Sequence, residues 1–137
     1  MKLHTTNYQN TFILVADDCP AISGELPPQK GEKKSIAAIQ HEMISRHPYH
    51  FTSDDVLFEV YALKNDPTES EKTKSREQLF SKGQACFRSS PLTKRYGWGV
   101  HSDDKGRIAI YGIESDDYKK LMQDKNIIKV KAMRSSK

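Results

Sequence analysis

The sequence predicts an α+β fold: one domain, a mainly antiparallel sheet of about four strands, and helices packed on one face. Three observations carry this. Strand-like and helix-like stretches are segregated along the chain and do not alternate strictly. A turn at Asp103-Asp104-Lys105-Gly106 separates two β-rich arms, Tyr96–His101 and Arg107–Ile113, and Gly106 can take the positive φ such turns need. The 137 residues are 36% hydrophobic and 29% charged, which suits a modest core with solvated outer faces.

Taken in order, Thr11–Ala16 (TFILVA) is a short apolar run rich in β-formers and reads as a strand. Residues 17–34 carry Pro20, Gly24, Pro27, Pro28 and Gly31 and read as a long irregular loop. Ser35–His47 is helical, with Ile36, Ile39, Met43 and Ile44 at helical spacing and Pro48 as the stop. Ser53–Lys64 alternates like a strand. However, Ser53 followed by Asp54 and Asp55 is a helix start, so the segment is read as a helix capped by Ser53. Residues 65–75 form a polar loop. Lys74–Phe87 reads as a helix with Leu79, Phe80, Gly83, Cys86 and Phe87 inward, and Gly83 there suggests close approach of another element. Ser89, Ser90 and Pro91 break it before the hairpin. Ser115-Asp116-Asp117 opens a helix to Gln123. Ile127–Met133 alternates Ile128, Val130 and Ala132 with lysines, as a strand with one exposed face does, and 134–137 is a basic tail.

Several stretches carry a resemblance. They are HTTNYQNTFILVADDCP near the start, YHFTSDDVLF in the middle, and KGQACFRSSPLTKRYGWGVHSDDKGRIAIYGIES later. The sequence resembles a family of small bacterial proteins known only as a domain of unknown function. The resemblance implies a single-domain bacterial protein and supplies no activity, cofactor or catalytic residue.

Composition excludes some classes. No run approaches the roughly 18 apolar residues of a membrane span, and the polar N-terminus lacks the apolar stretch of a signal peptide. A cytoplasmic protein with reduced Cys19 and Cys86 is expected. The net charge is +4, and after Asp117 seven basic residues face the single acid Asp124. That excess suits solubility and permits an anionic partner.

The densest chemistry lies in the basic loop before the hairpin. Arg88, Lys94 and Arg95 can hold phosphate or carboxylate, Ser89 and Ser90 add hydroxyl donors, and Trp98 and His101 stand on the following strand. Tyr96, Trp98 and Val100 share one strand face, with Gly97, Gly99 and His101 on the other, which the glycines leave bare. The resulting expectation is a binding module for a phosphate-bearing small molecule, favoured over nucleic acid because the basic residues form no long stripe. One alternative is an enzyme using Cys19, or the pair Asp17 and Asp18, with a distant histidine. The other is an interaction protein that forms a homodimer through a strand edge. His41 and His47 lack the i, i+4 spacing of a helical zinc pair, and neither CxxC nor HExxH occurs, so no metal or other cofactor is expected.

Overall fold

A computed structural model of the chain describes residues 4–27, 29–30, 33–84 and 86–134. The strands are β1 (Thr11–Leu14), β2 (Gln29–Lys30), β3 (Lys33–Lys34), β4 (Trp98–Ser102), β5 (Ile108–Gly112) and β6 (Ile128–Lys131). The helices are α1 (Ile36–Arg46), α2 (Ser53–Asn65), α3 (Lys72–Phe80), α4 (Pro91–Lys94) and α5 (Asp116–Gln123), with a 3-10 turn at Phe87–Ser89.

Four strands form one sheet in the order β5-β4-β1-β6. The hairpin forms as predicted: β4 and β5 pair antiparallel from Trp98 opposite Gly112 to Ser102 opposite Ile108, and Gly106 sits at φ +79° in the turn. The sheet is nonetheless mixed, because β6 pairs parallel with β1, Thr11 opposite Ile128 through Leu14 opposite Lys131. The reason is topological. β1 to β4 and β4 to β5 are both antiparallel steps, so β5 and β6 run the same way. Parallel strands need a crossover, and α5 supplies it.

Helices cover both faces of the sheet, not one. Ile13, Val100 and Ile108 turn to the larger core, where Ala37 and Ile44 of α1, Val56 of α2 and Leu92 of α4 meet them. Phe12 turns the other way and meets Tyr118 of α5 edge-to-face, ring centroids 4.9 Å apart. Alternation along β1 thus feeds two cores.

Local capping explains the helix starts. Ser35 accepts from Ala38 N and Ser115 from Tyr118 N. The cap of α2 is Thr52, which accepts from Asp55 N while the Asp55 carboxylate accepts from Thr52 N, a closed capping box. The Ser53 hydroxyl bonds Thr6 instead. The helix predicted over 74–87 starts earlier, at Lys72, and ends at Phe80, where Gln84 Nε2 donates back to the Leu79 carbonyl. A Cβ on Gly83 would meet nothing within 4 Å, so no element approaches it. Ser90 and Pro91 do not merely break a helix: Ser90 caps α4 by accepting from Leu92 N, with Pro91 in its first turn. The loop read over 17–34 holds the short antiparallel pair of β2 and β3. Pro28 and Gly31 in that loop, and 135–137 of the basic tail, lie outside the described residues.

Candidate functional site

Because β1 and β6 are parallel neighbours, their C-terminal ends lie side by side, and basic residues collect there. Ala132 N donates to the Leu14 carbonyl, 2.9 Å, carrying the pairing past β6. Lys131 Nζ then lies 3.2 Å from Asp17 Oδ1, and Arg134 Nη2 3.7 Å from Asp17 Oδ2. The end of α4 joins the same rim, since Ala16 N donates to the Thr93 carbonyl, 3.0 Å, immediately before Lys94 and Arg95. Arg88 runs along β6: its carbonyl accepts from Met133 N and its Nε donates to the Lys131 carbonyl, both 2.7 Å. Ser89 Oγ sits 2.8 Å from Met133 Sδ.

Of the residues predicted as a site, Arg88, Ser89, Lys94 and Arg95 therefore belong to this rim. Ser90, Trp98 and His101 do not. Ser90 is buried and donates to Gln40 Oε1, 3.1 Å. The Trp98 indole N–H donates to the Glu25 carbonyl, 2.7 Å, while Glu25 N donates to the Tyr96 carbonyl and Gly24 N to Glu114 Oε2. Trp98 thus pins residues 24–25 to the sheet. The face carrying Gly99 is not bare either. A Cβ on Gly99 would lie 2.6 Å from Phe12 and 2.7 Å from Tyr118, so the glycine makes room for the protein's own rings.

The residues of the enzyme reading separate as well. Asp17 is held by Lys131 and Arg134. Cys19 is half-buried against both cores, and Cys86 lies 3.5 Å from the Tyr8 hydroxyl. The histidine rings make their contacts elsewhere: His41 with Trp98, His47 with His50 and Phe51, and His101 with Tyr49.

One cluster has no counterpart in the sequence reading. The Tyr49 hydroxyl lies 2.7 Å from His101 Nδ1 and 2.7 Å from the Tyr111 hydroxyl, a continuous chain of three titratable groups. Tyr49 comes from the α1–α2 connector, which docks on β5 through Tyr49 N to the Ile108 carbonyl and Ile108 N to the Phe51 carbonyl. The docking holds Tyr49 at φ +59°, an uncommon conformation for a bulky residue. Burial, and then the Tyr111 hydroxyl, push the Tyr49 phenol far above its ordinary value. Burial lowers the His101 imidazole, with Asp103 and Asp124 opposing. Tyr49 and His101 are therefore neutral at pH 7. The hairpin register could have revealed His101 and Tyr111 on one face. Tyr49 could not be found from sequence, because its partners lie far along the chain.

The sequence matches a family of unknown function (DUF6157) across residues 3–137, the whole of both cores and the basic rim. The chain belongs to that family. No curated protein and no solved structure matches it. Membership in DUF6157 carries no assigned chemistry, so function rests on the geometry. No helix among the described residues is long and apolar enough to cross a membrane.

Proposed function

We propose that this protein is a cytoplasmic binding module for an anionic, phosphate-bearing small molecule, taken up at the rim where β1, β6 and α4 end. The observation that carries the reading is that two cations, Lys131 and Arg134, share one carboxylate, Asp17. Lys94 and Arg95 follow the residue tied to Ala16. With Asp18 counted beside Asp17, the rim keeps a positive excess. Ends of parallel strands are also favoured positions for ligands. A small molecule fits better than a nucleic acid. The cations gather at one rim, and the indole that would offer a stacking face is engaged with the loop at Glu25.

Thermal-shift and calorimetric titrations with inorganic phosphate, nucleotides, sugar phosphates and short single-stranded oligonucleotides test this at low salt. Phosphorylated small molecules should raise Tm. Lys131→Ala or Arg134→Ala should each weaken binding roughly tenfold, the loss of about one charge-assisted hydrogen bond. Arg95→Ala should weaken it too, and Asp17→Asn should tighten it by removing the competing carboxylate. Arg88→Ala should act chiefly on stability, since Arg88 Nε already serves the Lys131 carbonyl. If no phosphate compound shifts Tm, or the shift survives loss of both Lys131 and Arg134, these residues are ordinary surface charge.

A further inference from the structure

Helix α1 carries two apolar stripes. Ala37, Gln40 and Ile44 are buried against the rest of the fold. Ile36, Ile39 and Met43 form a second stripe, spaced three and four residues apart as in the seam of a helix pair. This stripe is only partly covered. Ile36 remains exposed, and on α2 Leu63 stands 65% exposed. Between the two helices runs a groove of about 530 Å³ lined by Ile39, Met43, Phe51 and Leu63, with Glu42, Arg46 and Glu59 on its rim. Among the described residues nothing else fills it.

We infer that this groove is a self-association surface, and that a second copy of the chain covers it by two-fold pairing of the α1–α2 faces. Three observations favour a second copy. First, the rim is self-complementary: Arg46 on α1 and the exposed Glu59 on α2 flank the apolar seam. A two-fold axis through the seam sets Arg46 of each copy against Glu59 of the other, twice per dimer. Second, Arg46 is placed to make this pair, since its side chain is 71% exposed and, among the described residues, its ion pair is a 3.3 Å contact with Glu42 on the preceding turn. Third, the usual route to a dimer, a strand edge, is obstructed on both sides of the sheet. The connector takes the β5 edge at Ile108, and Arg88 takes the β6 edge at Lys131 and Met133.

Size fixes the strength. Helices of 11 and 13 residues are about 17 and 20 Å long and about 10 Å wide, so the paired face is roughly 400 Å² per copy. Two such faces bury roughly 800 Å² in all, below the span of stable specific interfaces, which implies a weak, transient dimer with a Kd of micromolar order or weaker. Met43 at the centre suits such a seam because its side chain adapts to its neighbour.

Sedimentation velocity from about 5 to about 500 µM tests the inference across that Kd range. The wild-type chain should move from monomer to dimer. Leu63→Glu should stay monomeric throughout, and its Tm should hold because Leu63 is exposed. Arg46→Glu and Glu59→Arg should each weaken association threefold or more, roughly the 0.7 kcal/mol of a rim ion pair. The combined Arg46→Glu/Glu59→Arg variant should recover it. A wild-type chain that stays monomeric at about 500 µM, or a dimer unchanged by Leu63→Glu, overturns the surface. A double variant no better than the singles overturns the two-fold register.

Discussion

Gly97 and Gly106 both hold a left-handed backbone, φ +77° and +79°, but their surroundings differ. At Gly106 the nearest atom to an added Cβ is the Tyr8 carbonyl oxygen at 3.4 Å, an ordinary contact. At Gly97 the Ser23 carbonyl oxygen would lie 2.5 Å away, inside any allowed approach. Gly106→Ala should therefore cost only the backbone term, about 1–2 kcal/mol. Gly97→Ala should cost that plus overpacking, about 3 kcal/mol or more, because the 23–25 segment must lift off the sheet. Urea denaturation of the two variants measures the difference, and equal losses would mean that the loop yields freely.

At the scale of elements, the start of α2 joins two networks two residues apart. Thr52 closes the capping box, while Asp54, two residues on, faces the N-terminal segment. The Asp54 carboxylate accepts from Thr5 Oγ1 at 2.6 Å and from Thr6 N and Thr6 Oγ1 at 2.7 Å, and Asp54 N donates to Asn7 Oδ1. Thr52→Ala should cost about 1 kcal/mol, the usual worth of a cap. Asp54→Ala should cost at least about 2 kcal/mol, because hydrogen bonds to a buried charge are lost. Asp54→Ala should also release residues 4–7, which hydrogen exchange would show and Thr52→Ala would not. This site shows what the sequence made legible. Local signals were enough to place α1, the hairpin and the α5 cap, and the Thr-Ser-Asp-Asp run marked α2 as a helix. Which hydroxyl caps it depends on Thr6, 47 residues away from Ser53, so the sequence pattern could not decide. The end of α3 misled for a related reason. Cys86 and Phe87 continue the helical spacing, but Phe87 is buried from a separate 3-10 turn. The basic rim was half legible: Arg88, Ser89, Lys94 and Arg95 could be named, but Lys131 and Arg134 join them only through the parallel pairing of β6.

Across the whole molecule, two imidazoles link stability to pH. His41, edge-to-face on Trp98, has a buried Nε2 with no hydrogen-bond partner among the described residues. Burial lowers both His41 and His101 from the ordinary 6.5. A histidine depressed on folding binds fewer protons folded than unfolded in acid, so stability held above pH 6.5 is lost as pH falls towards the folded pKa values. Tm should therefore drop as pH falls below about 6.5, and His41→Phe should flatten part of that slope while keeping the ring contact with Trp98. An unchanged slope would mean that His41 protonates in place. The parallel pair has a consequence for biosynthesis. β1 leaves the ribosome well ahead of β6 and lies inside the finished sheet, with β6 as one of its two neighbours. Until residues 128–131 arrive, one side of β1 is an unsatisfied ladder whose apolar TFIL sequence can recruit another chain. Closure of this sheet thus waits for β6, and nascent chains stalled short of it are the form most exposed to aggregation and to chaperones.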